Sequence, residues 1–292
     1  MSAPVIALVA ITLAAAIVNG GIGYGFSSIT VPLALLFLSN RRLNPALVLI
    51  EMALNAYVLW VNRDALDLVW RRVAPMVVGL VPGVIAGTLI VSRMSPARLK
   101  LWTYLVLLPL ILLQAAGYRR PIRSERTIGF PFGLGLGVLY SVTTISGPPL
   151  AVLLNNQGLA KREFRAALGF IRLAESSFTA IAYLTAGLMT SSSMALIPQI
   201  LPSVLVGVPI GAWLIHRMPA EIFRRLCMSF DAWVVGFGVA TVLRDVRIVE
   251  GPEAYLFLLA VIVVDAWLLY RFFVAGATSR TPQAASGERT SS

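Results

Sequence analysis

The chain has 292 residues, 58% of them hydrophobic and only 13% charged, with a formal net charge of +11. A soluble domain carries about 25% charged residues, so a water-soluble globular fold is excluded, and one Cys (Cys227) and one His (His216) exclude a disulfide framework and most metal sites. The basic residues lie in short loops between apolar runs rather than on a face with interleaved aromatics, which argues against nucleic acid and for an all-α polytopic membrane protein.

Taken in order, the apolar segments fall at 4–18, 26–38, 45–61, 74–91, 99–117, 128–139, 148–154, 168–186, 197–215, 226–243 and 254–274. Segments of about 18 to 20 residues span a bilayer at 1.5 Å per residue. The first has no basic residue before Arg41, so it reads as a membrane segment and not a cleavable leader. The stretch after it, "NGGIGYGFSSITVP" (Asn19 to Pro32), is too rich in Gly, Ser and Thr to continue a helix, and "GLGVLYSVTTISGPP" (Gly135 to Pro149) has the same character. "WLLYRFF" (267–273) reads as an interfacial aromatic and Arg anchor, and 276–292 as a disordered tail.

The chain repeats itself. "GVIAGTLIVSRM" (Gly83 to Met94) matches "GVPIGAWLIHRM" (Gly207 to Met218) at an offset of 124, where Glu51 also meets Glu175 and Ala56 meets Ala180. The Gly-rich stretches superpose at an offset of 116, pairing Gly21 with Gly137, Tyr24 with Tyr140, Ile29 with Ile145 and Pro32 with Pro148; the eight-residue difference fits an insertion near 160–167. The organisation expected is a first repeat over 1–118, a basic linker over 119–127, a second repeat over 128–244 and an extra helix over 245–275. If each Gly-rich stretch is the tip of a re-entrant helical hairpin, each half has a hairpin plus three transmembrane helices, and the second half is inverted. Loop Lys and Arg then number 13 inside against 7 outside. "SRMSPARLK" (92–100) lies outside in this arrangement, against the trend.

A helix broken at mid-membrane leaves backbone groups that cost several kcal/mol each unless protein or a wet cavity meets them. Matched breaks in two halves point to a transporter's binding site. Gly lets the backbone turn and approach a ligand, Ser and Thr supply hydroxyls, and a helix restarting after the break offers free N–H groups to an anion. Pro32 and Pro148 are expected near the start of the second helical pieces. The expected anion donors are Ser27, Ser28 and Thr30 with Thr143, Thr144 and Ser146. Gly25, Tyr24, Tyr140, Gly147, Pro32 and Pro148 shape the pocket. Tight helix packing is the competing reading of the glycines.

Ionisable residues inside apolar runs are functional candidates. Arg172 and Glu175 are three apart, share a helix face and can pair. In the sharper reading Arg172 adds positive potential near the anion, and Glu51 or Glu175 carries a coupling proton, with Asn55 one turn beyond Glu51. Asp231 reads as an interfacial residue. Asp265 has no counterpart in the other half.

Two halves of about 120 residues, each opening on "GGIGYGFSSITVP" or "GLGVLYSVTTISGPP" and continuing with a "GxxxGxxxxxRM" helix, resemble the TauE/SafE family of bacterial inner-membrane permeases. The resemblance covers about residues 4–244, and Tyr24 departs from the family's Gly run. It implies transport, in the direction of export, of sulfite, thiosulfate, sulfoacetate or another organosulfonate, with no cofactor and no ATP. The residues by themselves reach a small anion carried by rocking of one repeat against the other, proton- or ion-coupled. An anion channel and a cation or amino-acid carrier using Glu51 and Glu175 remain open. An enzyme is not expected, since no base accompanies Ser146. The expected partners are a small anion and the lipid bilayer; Gly83/Gly87 and Gly207/Gly211 fit packing within the chain or in a homodimer.

Overall fold

The computed structural model describes residues 3–115, 125–155, 159–214, 229, 232–233, 235–241, 243–244, 249, 251 and 253–278. Asp231, His216, Cys227, the loop 216–225 and most of the linker lie outside the described residues. The elements are α1 (Ala3–Ile22), α2 (Phe26–Ala34), α3 (Asn40–Val61), a 3-10 turn at Arg63–Ala65, α4 (Leu66–Arg93), α5 (Pro96–Ala115), α6 (Glu125–Thr143), α7 (Gly147–Asn155), α8 (Lys161–Thr185), α9 (Ser191–Met194), α10 (Ile197–Leu214) and α11 (Ala254–Thr278). The described residues 229, 232–233, 235–241 and 243–244 are also helical, and no strand occurs among the described residues. Thus α6 starts inside the stretch read as linker, and α11 continues through Thr278 into the expected tail.

Among the described residues, five helical segments are long and apolar enough to cross a membrane, so the chain is a multi-pass membrane protein. Its outer faces are apolar, with Leu68, Leu184, Leu205 and Leu256 all exposed. In water these side chains would be a large liability; in lipid they are the expected surface.

Small residues bring two pairs of helices to backbone contact. On α4, a Cβ added at Gly83 would lie 2.2 Å from the Leu134 carbonyl oxygen of α6, and one at Gly79 would lie 2.2 Å from that of Phe130. On α10, a Cβ at Gly211 would lie 1.8 Å from the Ile17 carbonyl oxygen of α1, and one at Gly207 would meet Leu13 and Ala16. The repeated Gly spacing therefore packs helices within the chain. Partner numbers rise together in both pairs, so α4 runs parallel to α6 and α1 parallel to α10. Between these pairs α3 crosses α8 antiparallel, with Leu59 against Gly169 and Val48 clustered with Tyr183.

Polar contacts group the loops. Arg41, at the start of α3, donates to the carbonyls of Val91, Ser92 and Met94 at the end of α4. A guanidinium there complements the negative end of the helix dipole. Arg42 donates to Ser192 and the Ser193 hydroxyl to the Arg41 carbonyl. The starts of α3 and of α10 thus share one end of the molecule with the finish of α4. At the other end Ala65 and Val69 cluster with Ala166 and Ala167 near the start of α8.

The matching of the two halves needs correction. Gly83 faces Leu134 and Gly137, while Gly207 faces Leu13 and Ala16. The first residues after the breaks, Phe26 and Gly147, are 121 apart. At an offset of 116, Tyr24 in the first break falls against Tyr140 inside α6, and Pro32 late in α2 against Pro148 early in α7, so these pairs do not hold equivalent places in the elements. Pro32 is the seventh residue of the nine in α2, not near its start; Pro148 is the second residue of α7, as expected.

Candidate functional site

Each break is a sharp turn in left-handed backbone. Gly23 and Gly25 have φ of 85° and 104° before α2; Thr144 has φ 58° before α7. Glycine adopts this region without a Cβ clash, whereas Thr144 is held there by its neighbours. The Thr144 hydroxyl donates to the Thr143 carbonyl (2.7 Å), and the Thr143 hydroxyl accepts the Ile145 N–H (3.0 Å).

The residue inside each turn crosses to the other half. Tyr24 clusters with Leu150, Ala151 and Leu154 of α7, and a Cβ on Gly147 would lie 3.3 Å from its ring. Ile145 clusters with Phe26, Ile29 and Val31 of α2. The two breaks meet.

Carbonyls released where the helices stop are bonded by side chains from elsewhere. Tyr183 of α8 donates to the Ser141 carbonyl, and Asn44 of α3 to that of Val142 (2.8 Å). Tyr104 of α5 donates to the Pro32 carbonyl in α2 (2.8 Å). Protein supplies the partners that hydrocarbon cannot. These three residues escaped the sequence reading; the available signal was a Tyr or Asn inside an otherwise apolar run.

The free N–H groups are distributed unequally. The first turn of α2 carries those of Phe26, Ser27 and Ser28, which an α-helix leaves without intrahelical partners. The first turn of α7 is Gly-Pro-Pro, so Pro148 and Pro149 have no N–H to offer. The anion-attracting helix start is therefore that of α2.

Around the breaks lies a buried ionisable network. Glu51, twelfth in α3, accepts from Ser27 Oγ at Oε1 (2.7 Å), from Arg172 Nη2 at Oε1 (2.7 Å) and from Tyr140 OH at Oε2 (2.8 Å). Glu175 accepts from Ser146 Oγ at Oε2 (2.5 Å). A serine at each break thus donates to a glutamate of the following long helix. Arg172 and Glu51 are 3% and 1% exposed and form a buried ion pair between halves. Arg172 does not pair with Glu175: side chains three apart leave α8 together, but the guanidinium reaches across to α3. Glu175 Oε1, Arg172 Nε, Asn55 Nδ2, Thr30 Oγ1 and Thr179 Oγ1 are buried with no hydrogen-bond partner. The network holds one cation and two carboxylates.

Most of the expected site residues are thus in one buried zone. Ser27, Ser28, Thr30, Thr143, Thr144, Ser146, Tyr24 and Tyr140 are all buried, as are Glu51, Glu175, Asn55 and Arg172, and Ser27, Tyr140, Ser146 and Arg172 are bonded to Glu51 or Glu175. Thr143 and Thr144 differ from the rest because their hydroxyls are committed to the local turn. Asp265 is buried and accepts from Ser229 Oγ (3.0 Å) and Trp233 Nε1 (2.9 Å), which ties α11 to the preceding helical residues. In the "WLLYRFF" segment Arg271 lies 4.9 Å over the ring of the exposed Trp267.

A family model described as "Sulfite exporter TauE/SafE" matches residues 8–237. No curated protein and no solved structure matches the chain.

Proposed function

The chain belongs to the TauE/SafE sulfite exporter family of membrane transporters, and from that premise we propose that it moves a small sulfur-containing anion across the bacterial inner membrane as a proton-coupled secondary exporter. The two breaks are the tips of re-entrant hairpins that enter from opposite ends, which makes the halves inverted repeats. In support, α1 is parallel to α10, whose start lies beside that of α3; α6 is parallel to α4, which starts beside α8. Each hairpin then leaves by the end it entered.

The observation that carries this reading is the buried Arg172 beside the α2 start, with Nε unpartnered and Nη2 on Glu51. A sulfite or sulfonate group presents three oxygens that accept from a guanidinium, a serine hydroxyl and helix-start N–H groups together. Arriving there, it competes with Glu51 for Arg172 and Ser27. Anion entry adds a negative charge to a network that already has two carboxylates and one cation. A proton on Glu175, whose Oε1 has no partner, offsets that charge, so anion and proton travel together. Access then alternates between the two ends. The same unpartnered oxygen favours a second reading, a cation carrier using Glu51 and Glu175.

The test is efflux from proteoliposomes loaded with sulfite, thiosulfate or sulfoacetate, with and without a pH gradient. Arg172→Gln together with Glu51→Gln is expected to abolish anion efflux while the protein stays folded, and Glu175→Gln to keep efflux but remove its response to the gradient. Anion efflux surviving in the double variant, or efflux of amines instead of anions from the wild type, would overturn the reading.

A further inference from the structure

The sequence leaves "SRMSPARLK" as a basic patch with no assignment. In the structure it caps an apolar groove of about 400 Å3 between α4, α5 and α6. Met94 and Leu99 line the groove next to Arg93 and Arg98, and its walls are Ile90, Trp102, Val106 and Leu139. Ile90, Trp102 and Val106 are 37%, 55% and 38% exposed, so the groove opens sideways to the bilayer. Gly135 forms its floor, where a Cβ would meet no atom within 4 Å. Elsewhere α6 uses glycine to touch α4, so this glycine leaves space and does not close it.

Arg93 and Arg98 are exposed and form no ion pair or hydrogen bond with another described residue. Arg41, by contrast, is spent on the carbonyls at the end of α4. Two free guanidiniums at the mouth of an apolar slot facing lipid complement a phosphodiester headgroup with its acyl chain below.

We propose that this groove is a binding site for one anionic phospholipid, with Arg93 and Arg98 on the phosphate and an acyl chain along α6 over Gly135. Because α4 and α6 run parallel, Thr143, the last residue of α6, lines the groove near the end of α4 that carries Arg93, and its hydroxyl accepts the Ile145 N–H of the second break. The bound lipid therefore touches the support of the break, and its occupancy biases how firmly that turn is held.

The experiment titrates phosphatidylglycerol, and phosphatidylcholine as the neutral control, into purified protein in a non-ionic detergent and follows Tm. The wild type is expected to gain several degrees more from phosphatidylglycerol. Arg93→Gln/Arg98→Gln should reduce that gain to the phosphatidylcholine level, and Gly135→Leu, which fills the slot, should remove the response to both lipids. If Gly135→Leu does not accumulate, Val106→Trp fills the slot from the opposite wall. Equal gains from the two lipids in the wild type, or a full phosphatidylglycerol response in either the charge or the slot variant, would overturn the proposal.

Discussion

Glu51→Gln is the perturbation that weighs most on this architecture. It keeps the side chain's size, and the amide oxygen still accepts from Ser27 or Tyr140, but the Arg172 guanidinium loses its anion at 3% exposure. Breaking a buried pair by removing one partner costs about 3–5 kcal/mol, whereas replacing both charged groups is near neutral. At about 2–4 °C per kcal/mol for a large domain, the single variant should lose on the order of 10 °C in Tm, and Glu51→Gln/Arg172→Gln should recover most of it. Thermal unfolding in detergent measures all four corners of the cycle. The comparison with Glu175 is decisive, because spacing alone nominates Glu175 as the partner of Arg172. If Glu175→Gln rescues Arg172→Gln and Glu51→Gln does not, or if Glu51→Gln costs less than about 1 kcal/mol, the pairing argued above is wrong.

Three further outcomes follow from the packing and the breaks. Gly83→Ala puts a methyl 2.2 Å from the Leu134 carbonyl oxygen and should cost at least about 1–3 kcal/mol, while Gly135→Ala on a neighbouring helix enters open space and should gain about 1 kcal/mol; equal Tm values for the two would contradict the helix contact described. Tyr104→Phe removes the donor to the Pro32 carbonyl and should cost about 1–3 kcal/mol, checked by thermal unfolding; an unchanged Tm would mean the carbonyl has another partner. Gly23→Ala, at φ 85°, should lose about 1–2 kcal/mol, whereas Thr144→Gly trades the lost hydroxyl bond against relief of the left-handed backbone and should stay within about 1 kcal/mol of wild type; a larger loss at Thr144 would mean that the bond outweighs the relief.

The parts of this fold that depend on composition and local chemistry were legible in the sequence. The spans follow from apolar runs, and the breaks from clusters of Gly, Ser and Thr where no helix is stable. Glu51, Arg172 and Glu175 stand out because charge inside an apolar run is rare. What depends on how helices rotate against one another was not legible. Arg172 and Glu175 share a face of α8, yet their partners are Glu51, 121 residues away, and Ser146. The offset of 116 was misleading because left-handed backbone falls at Gly23 and Gly25 in the first break and at Thr144 in the second, and the offset sets Tyr24 against Tyr140 inside α6. Glycine reaches left-handed backbone by its freedom and Thr144 beside local hydrogen bonds, and letter matching sees only the first. Thr143 and Thr144 looked like ligand donors for the same reason: a hydroxyl that holds a turn is spelled like one that holds an anion.

The glycine contacts also show which helices are held most closely together. α1 is interlocked with α10 and α4 with α6 at distances that leave no room for a methyl group, and each lock joins a helix of one half to a helix of the other. Turning residues 1–118 against 128–244 as blocks would shear both locks at once. The α3–α8 crossing is close as well: a Cβ on Gly169 would lie 3.1 Å from the Leu59 backbone nitrogen, and the Arg172–Glu51 ion pair spans the same two helices. Sequence halves and packing units are therefore different partitions of this molecule: its tightest glycine contacts tie one half to the other.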